Sequence, residues 1–357
     1  MSSLSGALAE RLSAEHAGTA SALAEPAPSA ERRRRALGKL LASGLPTSRD
    51  ENWKYANLRP LERLRYLPAS AAGAGGAPVT AALLPAALPD YARYVFVDGA
   101  LVPGLSAPLA ATAATLALRD GAADSPDATS ADERFALLNA AFAVQTLDVR
   151  LAAAGAARLE LLFIASTDSA HGASYPRVNL QVEAGASLAL IERHLSAAEA
   201  AAFVNSAVTV ALGAGASLTH YRLQDLSARS IQFDTLSANL GQSAAYRLYG
   251  AATGAQSART TIRVRLAGER AELTQAMAAL GDRQQVQDTY ALVEHAAPSA
   301  RTEQIFRGIA AARARVAFNG KIVVAAGAHG TDSRQSLRGL LAGPEAEIDV
   351  RPQLEIY

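Results

Sequence analysis

The five residues Ala184-Gly-Ala-Ser-Leu188 recur thirty residues later as Ala214-Gly-Ala-Ser-Leu218. Looser echoes follow at Ala267-Gly-Glu-Arg-Ala-Glu-Leu273 and Ala342-Gly-Pro-Glu-Ala-Glu-Ile348. Each is a glycine turn feeding a run of alternating apolar and polar residues. A unit of that kind cannot bury its apolar face alone, so its repetition predicts coils stacked into a solenoid. A β-sandwich could use the same glycine turns, but the sequence has few two-residue hairpin signals between paired strands. The expected core is therefore a right-handed parallel β-helix, each coil covering its neighbour's edge.

The period-two alternation is carried by Arg158 to Ile164, Arg177 to Val182, Val208 to Val210, Thr260 to Leu266 and Val316 to Phe318. Tyr94 to Val97 reads as a strand running into an Asp98-Gly99 turn. Helical spacing appears earlier, at Leu4, Leu8 and Leu12 and at Leu37, Leu40 and Leu41, with breaks at Glu25-Pro-Ala-Pro28 and Leu45-Pro-Thr47. Pro68 to Asp90 is rich in Ala, Gly and Pro and almost uncharged, the composition of a flexible connector or a variable insertion rather than a core element. The expected organisation is a helical region over 1–67, a connector over 68–90, and a parallel β-helix core over 91–357 with a helix near 132–143. The alternation in Arg301 to Tyr357 stops without a further layer, so that core is expected to be incomplete at its C-terminal end.

Half of the residues are hydrophobic, but alanine dominates and only 5% are aromatic, which favours thin, closely stacked layers. Lys and Arg (34) balance Asp and Glu (33), so no global field favours nucleic acid or an anionic membrane as partner. The local run Arg32 to Arg35 reads as the solvated start of an amphipathic helix. The chain has no cysteine, which excludes disulfides, thiolate zinc sites and cysteine nucleophiles within it. Met1 to Glu10 lacks a sustained apolar stretch, and no apolar run approaches the ~20 residues that span a bilayer. A cytoplasmic protein is expected.

Catalytic motifs are missing. There is no Gly-x-Ser-x-Gly elbow and no His-Glu-x-x-His, and Gly213-Ala-Gly215 lacks the third glycine of a dinucleotide fingerprint. Gly320-Lys321-Ile322 resembles the end of a phosphate loop only superficially. The six histidines are scattered singly, although stacking could bring His194 and His220 together. His329 and Asp332 read as parts of a polar turn. A solenoid acting on carbohydrate, the alternative functional class, would need paired carboxylates. Its candidates, Glu192 beside His194, Asp225 and Asp234, fall in different coils with no repeated register.

Several ordered stretches resemble the SufB/SufD scaffold family of the Suf iron–sulfur cluster assembly system. Near the N-terminus these are Leu45-Pro46 and Glu51-Asn-Trp53-Lys54-Tyr55-Ala-Asn-Leu58; Phe135 to Asn139, Pro176-Arg177 and Ile191-Glu192 follow. The C-terminal pieces are the most specific: Arg307-Gly308, Phe318-Asn319-Gly320-Lys321-Ile322, Thr331-Asp332, Gln335, Leu340-Leu341, Ala346 to Asp349, and Pro352-Gln353-Leu354-Glu355-Ile356.

The resemblance implies a non-catalytic scaffold subunit that pairs with a SufB-type subunit and a SufC-type ATPase. A homodimer is a further expectation. The chain alone would bind no cofactor, and the nascent iron–sulfur cluster would form at the level of the complex. Lack of cysteine favours the SufD branch over SufB, whose sulfur handling depends on cysteines. The resemblance also implies that Trp53, Lys54 and Tyr55 anchor the N-terminal helices on the solenoid, and that Thr331, Asp332 and Gln335 close a turn between coils. In the family, Leu-Glu-Ile is followed by a Cys-Ser-His-Gly segment and by helices that grip the ATPase. On that reading the chain is a C-terminally truncated form.

Overall fold

A computed structural model describes residues 6–23, 25–69, 76, 78–109, 113–121 and 131–357. Helix α1 (Gly6–Ala22) carries Leu8 and Leu12, and helix α2 (Ala27–Ser43) carries Leu37, Leu40 and Leu41; Leu4 lies outside the described residues. The break at Glu25 to Pro28 is local: a proline in the first turn of α2 has no N–H to lose. Helix α3 (Arg134–Phe142) follows a single 3₁₀ turn, Ala131–Glu133. Residues 70–75 and 77 of the Ala/Gly/Pro-rich stretch lie outside the described residues. No helix among the described residues is long and apolar enough to cross a membrane.

The chain enters the solenoid through β1 (Ala92–Val97), β2 (Ala100–Leu101), β3 (Ala114–Asp120) and β4 (Gln145–Leu151). Asp98 and Gly99 both have positive φ, 48° and 85°, as a two-residue turn between the antiparallel β1 and β2 requires. The coils then begin with β5 (Ala156–Ala165), β6 (Ala173–Ser174), β7 (Arg177–Val182), β8 (Ser187–Ser196) and β9 (Phe203–Leu212). They continue through β10 (Ser217–Asp225), β11 (Ile231–Leu240), β12 (Ala245–Ala252), β13 (Ser257–Leu266) and β14 (Glu272–Gly281). The last are β15 (Val286–His295), β16 (Arg301–Ala310), β17 (Arg315–Val324), β18 (Asp332–Leu341) and β19 (Glu347–Ile356).

From β7 onward successive strands alternate between two parallel sheets, so each coil adds one strand to each. The result is a parallel β-solenoid of about 7 turns. One sheet runs β18-β16-β14-β12-β10-β8-β5-β1-β2, the other β19-β17-β15-β13-β11-β9-β7-β4-β3. The literal repeat is the turn into β8 and β10. Gly185 and Gly215 adopt φ 67° and 64°, and Ser187 and Ser217 stand in register with their hydroxyls 2.9 Å apart. In the next coils Ser243 and Arg270 take the left-handed position instead, which is why the echo blurs.

Inward residues form apolar ladders along the axis, such as Leu188-Leu218-Tyr246 and Leu212-Leu240-Leu266. Each such leucine contributes about 1.5–3 kcal/mol through burial. A second core lies on the outer face of the β9/β11 sheet, where the helical region packs. There Phe135 of α3 stacks on Phe233 at 4.1 Å with planes 2° apart, and Trp53 lies 5.2 Å from Phe135. Arg33 differs from the solvated residue expected of a charge run: it is fully buried, paired with Glu25 at 2.9 Å and donating to the carbonyls of Ala141 and Ala143. The C-terminal end of α3 leaves those carbonyls unpaired, and a guanidinium satisfies both.

Candidate functional site

The family-like stretches, far apart in sequence, meet at the β17 to β19 end of the solenoid. Asn319 points outward from β17 and donates to Asn52 Oδ1 at 3.3 Å, while Glu51 pairs with Arg351 on β19 at 2.8 Å. Lys321 reaches Glu355 at 2.8 Å. Gly320 faces inward, and its carbonyl accepts from Gln335 Nε2 at 3.0 Å. Pro352 lies opposite Gly320 on β19, the outermost strand of its sheet, where a missing N–H costs no ladder bond. Leu354 is exposed.

Trp53 is the pivot of the N-terminal contact. Its indole is buried, donates Nε1–H to Asp132 Oδ1 at 3.0 Å, and carries the Arg259 guanidinium 4.3 Å from its ring centre. Arg259 in turn pairs with Asp288 at 2.5 Å. Burial raises the pKa values of Asp132 and Asp288 despite that cation. Lys54, by contrast, is exposed with its ammonium over the Tyr55 ring, and neither residue belongs to the buried contact. Thr331 holds a turn by donating to the Ala328 carbonyl. Asp332 and Gln335 do not close that turn with it: both lie in β18, and Gln335 belongs to the interior. Its even spacing from Ser333 and Leu337 puts it on the inward side.

A buried charge cluster sits nearer the middle of the solenoid. Glu192 accepts from His194 Nε2 (2.7 Å), His220 Nε2 (2.9 Å) and Arg222 (2.6 Å), and Arg222 also pairs with Asp234 at 2.7 Å across the interior. Ser206 and Tyr246 complete it, donating to Asp234 and meeting His220 Nδ1. Burial would raise the Glu192 pKa, but Arg222 and the two histidines outweigh it and hold the carboxyl well below its usual range. Burial lowers the His220 pKa in spite of Glu192. Glu192 and Asp234, assigned to different coils without shared register, are thus joined by one guanidinium. Asp225 stays apart and exposed. Both inner carboxylates are buried and saturated by Arg222, unlike a carboxylate pair flanking an open cleft. The signal for this cluster was the alternation itself, which puts Glu192, His194, His220 and Arg222 all inward.

Among the described residues no group of three His, Cys, Asp or Glu side chains could hold a metal ion. Comparison with known proteins decides what this architecture belongs to. The SUF system FeS cluster assembly SufBD core domain profile matches residues 163–357. The iron-sulfur cluster assembly protein SufD of Escherichia coli is 30% identical over 325 residues, covering 90% of this chain and 76% of that protein. The chain belongs to the SufB/SufD family. A second relative, an iron-sulfur cluster assembly SufBD family protein of Synechocystis, is 28% identical over 347 residues, 91% of this chain and 76% of its own. Family membership places the chain in iron–sulfur cluster assembly. The SufBD core match takes in the Glu192 cluster and the β17 to β19 residues, and leaves Glu51 to Tyr55 outside.

Proposed function

We propose that the protein is a non-catalytic scaffold subunit of a cytoplasmic Suf-type assembly complex, pairing with a SufB-type subunit and working with a SufC-type ATPase. The observation that carries this reading is 30% identity over 90% of the chain to a SufD protein. The geometry supports it in one respect. The family-like residues stitch coils to each other and to the helical region through Asn319 to Asn52, Arg351 to Glu51 and Gln335 to Gly320. Residues so used make a rigid support. The nascent cluster is then cargo, formed at the level of the complex.

The test is co-expression of the tagged protein with the SufB-type and SufC-type subunits of the same organism. Recovery of a stoichiometric complex that accumulates an iron–sulfur chromophore only when this subunit is present is expected. A complex that assembles and matures clusters equally well without it would overturn the reading.

A further inference from the structure

The outer face of the β8/β10/β12/β14/β16 sheet carries a groove of about 570 Å³ whose lining includes no acidic residue. Register fixes its shape. One row across the strands reads Ile191-Tyr221-Tyr249-Ala276-Ile305, and the next reads Arg193-Leu223-Ala251-Ala278-Arg307. Tyr221 and Tyr249 stack at 5.3 Å with planes 20° apart. Because Tyr221 stands on the β10 side of Tyr249, the other face of the Tyr249 ring looks toward β14. There the next residue in the row is only Ala276.

The aromatic ladder therefore stops at a slot bounded by Tyr249 and Ile305, whose strands lie two spacings, about 9–10 Å, apart. That width takes one planar ring between the two side chains. The floor is kept low by Ala251, Ala276 and Ala278. Gly250 faces the interior beneath it and leaves its space there to Met277: a Cβ would lie 2.4 Å from the Met277 methyl.

Charge at the slot is one-signed. Arg307 donates to the Phe306 and Ser336 carbonyls and to Ser336 Oγ, which fix its guanidinium without neutralising it. At the far end Arg193 and Arg93 share the single carboxylate of Glu160, at 3.3 and 2.7 Å. Only Arg222, beneath the floor, is fully offset, by Glu192 and Asp234. A mostly apolar groove of this size with few, convergent polar groups has the make-up of a small-molecule site.

We propose that this slot binds a planar aromatic ring bearing an anionic substituent, the ring continuing the tyrosine stack over Ala276 and the anion facing Arg307. Stacking on tyrosine supplies affinity for the ring, and the uncompensated guanidinium selects the anion.

Anilinonaphthalenesulfonate and its uncharged parent phenylnaphthylamine differ by the sulfonate alone, so paired fluorescence titrations of the intact chain test the proposal. The sulfonate is expected to bind one site per chain at least about tenfold more tightly than the amine, one tenfold step being about 1.4 kcal/mol. Arg307→Gln should bring the two affinities within about twofold. Ala276→Trp should remove that component for both probes while thermal unfolding of the chain stays close to the parent's. Equal affinities for the two probes in the parent, or binding that Ala276→Trp leaves untouched, would overturn the proposal.

Discussion

The side-chain amide of Gln335 on β18 donates to the backbone carbonyl of Gly320 on β17, 3.0 Å across the solenoid interior from one sheet to the other. The same nitrogen reaches Gln304 Oε1 at 2.7 Å, and Gln304 donates in turn to Gln275 at 3.0 Å, a ladder of amides on the axis. There is no room at residue 320 for a side chain. A Cβ would lie 2.8 Å from Phe318 Cε1 and 2.9 Å from Gln335 Nε2.

Gly320→Ala should therefore destabilise the chain by about 1–3 kcal/mol through overpacking. Combining it with Gln335→Ala should cost less than the sum of the single changes, because removing the amide opens the space. Urea unfolding of the four members of this cycle gives the coupling. Additivity within about 0.5 kcal/mol would mean that the two residues do not share the site.

Arg222 bridges Glu192 and Asp234 where water does not reach, so removing it strands two carboxylates. Arg222→Met should cost about 3–5 kcal/mol, and adding Glu192→Gln and Asp234→Asn should restore much of the loss. Chemical denaturation at neutral pH measures both. A triple variant no more stable than Arg222→Met would show that packing around the arginine matters more than its charge.

How much of this could be read in advance depends on the reach of each signal. The repeat at Ala184 and Ala214 gave away the coil because a left-handed glycine before a strand is a local requirement, met at Gly185 and Gly215. The Arg32 to Arg35 run misled for the opposite reason: burial of Arg33 depends on α3, a hundred residues on, whose carbonyls it satisfies. Glu192 and Asp234 looked unrelated because they sit on different sheets, and only closure of the coil puts Arg222 between them. Asp332 and Gln335 follow turn-forming residues, so local chemistry groups them with the turn, whereas β18 begins at Asp332.

Trp53 holds the helical region to the solenoid through Phe135, Phe233 and Arg259 at once. Trp53→Ala should cost about 3–5 kcal/mol. Its effect should be local as well: amides of α3 and β11 should lose hydrogen-exchange protection while those of β12 and β14 on the opposite sheet keep theirs. Uniform loss of protection along all coils would show that helices and solenoid unfold as one unit.

His295, inward on β15 between Leu266 and Val324, accepts or donates one bond to Thr302 Oγ1 at 2.9 Å. Burial lowers its pKa to about 4. In the unfolded chain a histidine titrates near 6.5, so between about pH 6.5 and 4 the unfolded state binds the extra proton and stability falls as pH falls. The contribution of neutral His295 is fully present above that window. Glu192, whose pKa is depressed, adds a loss only further down, below the ordinary carboxylate range near 4.3. His295→Leu should thus flatten the decline in unfolding free energy between pH 6.5 and 4.5 by an amount on the order of 1–3 kcal/mol. His16 and His220, also lowered by burial, would keep a residual slope. Urea unfolding at several pH values in both chains measures the difference, and identical slopes would assign the acid sensitivity to those two histidines instead.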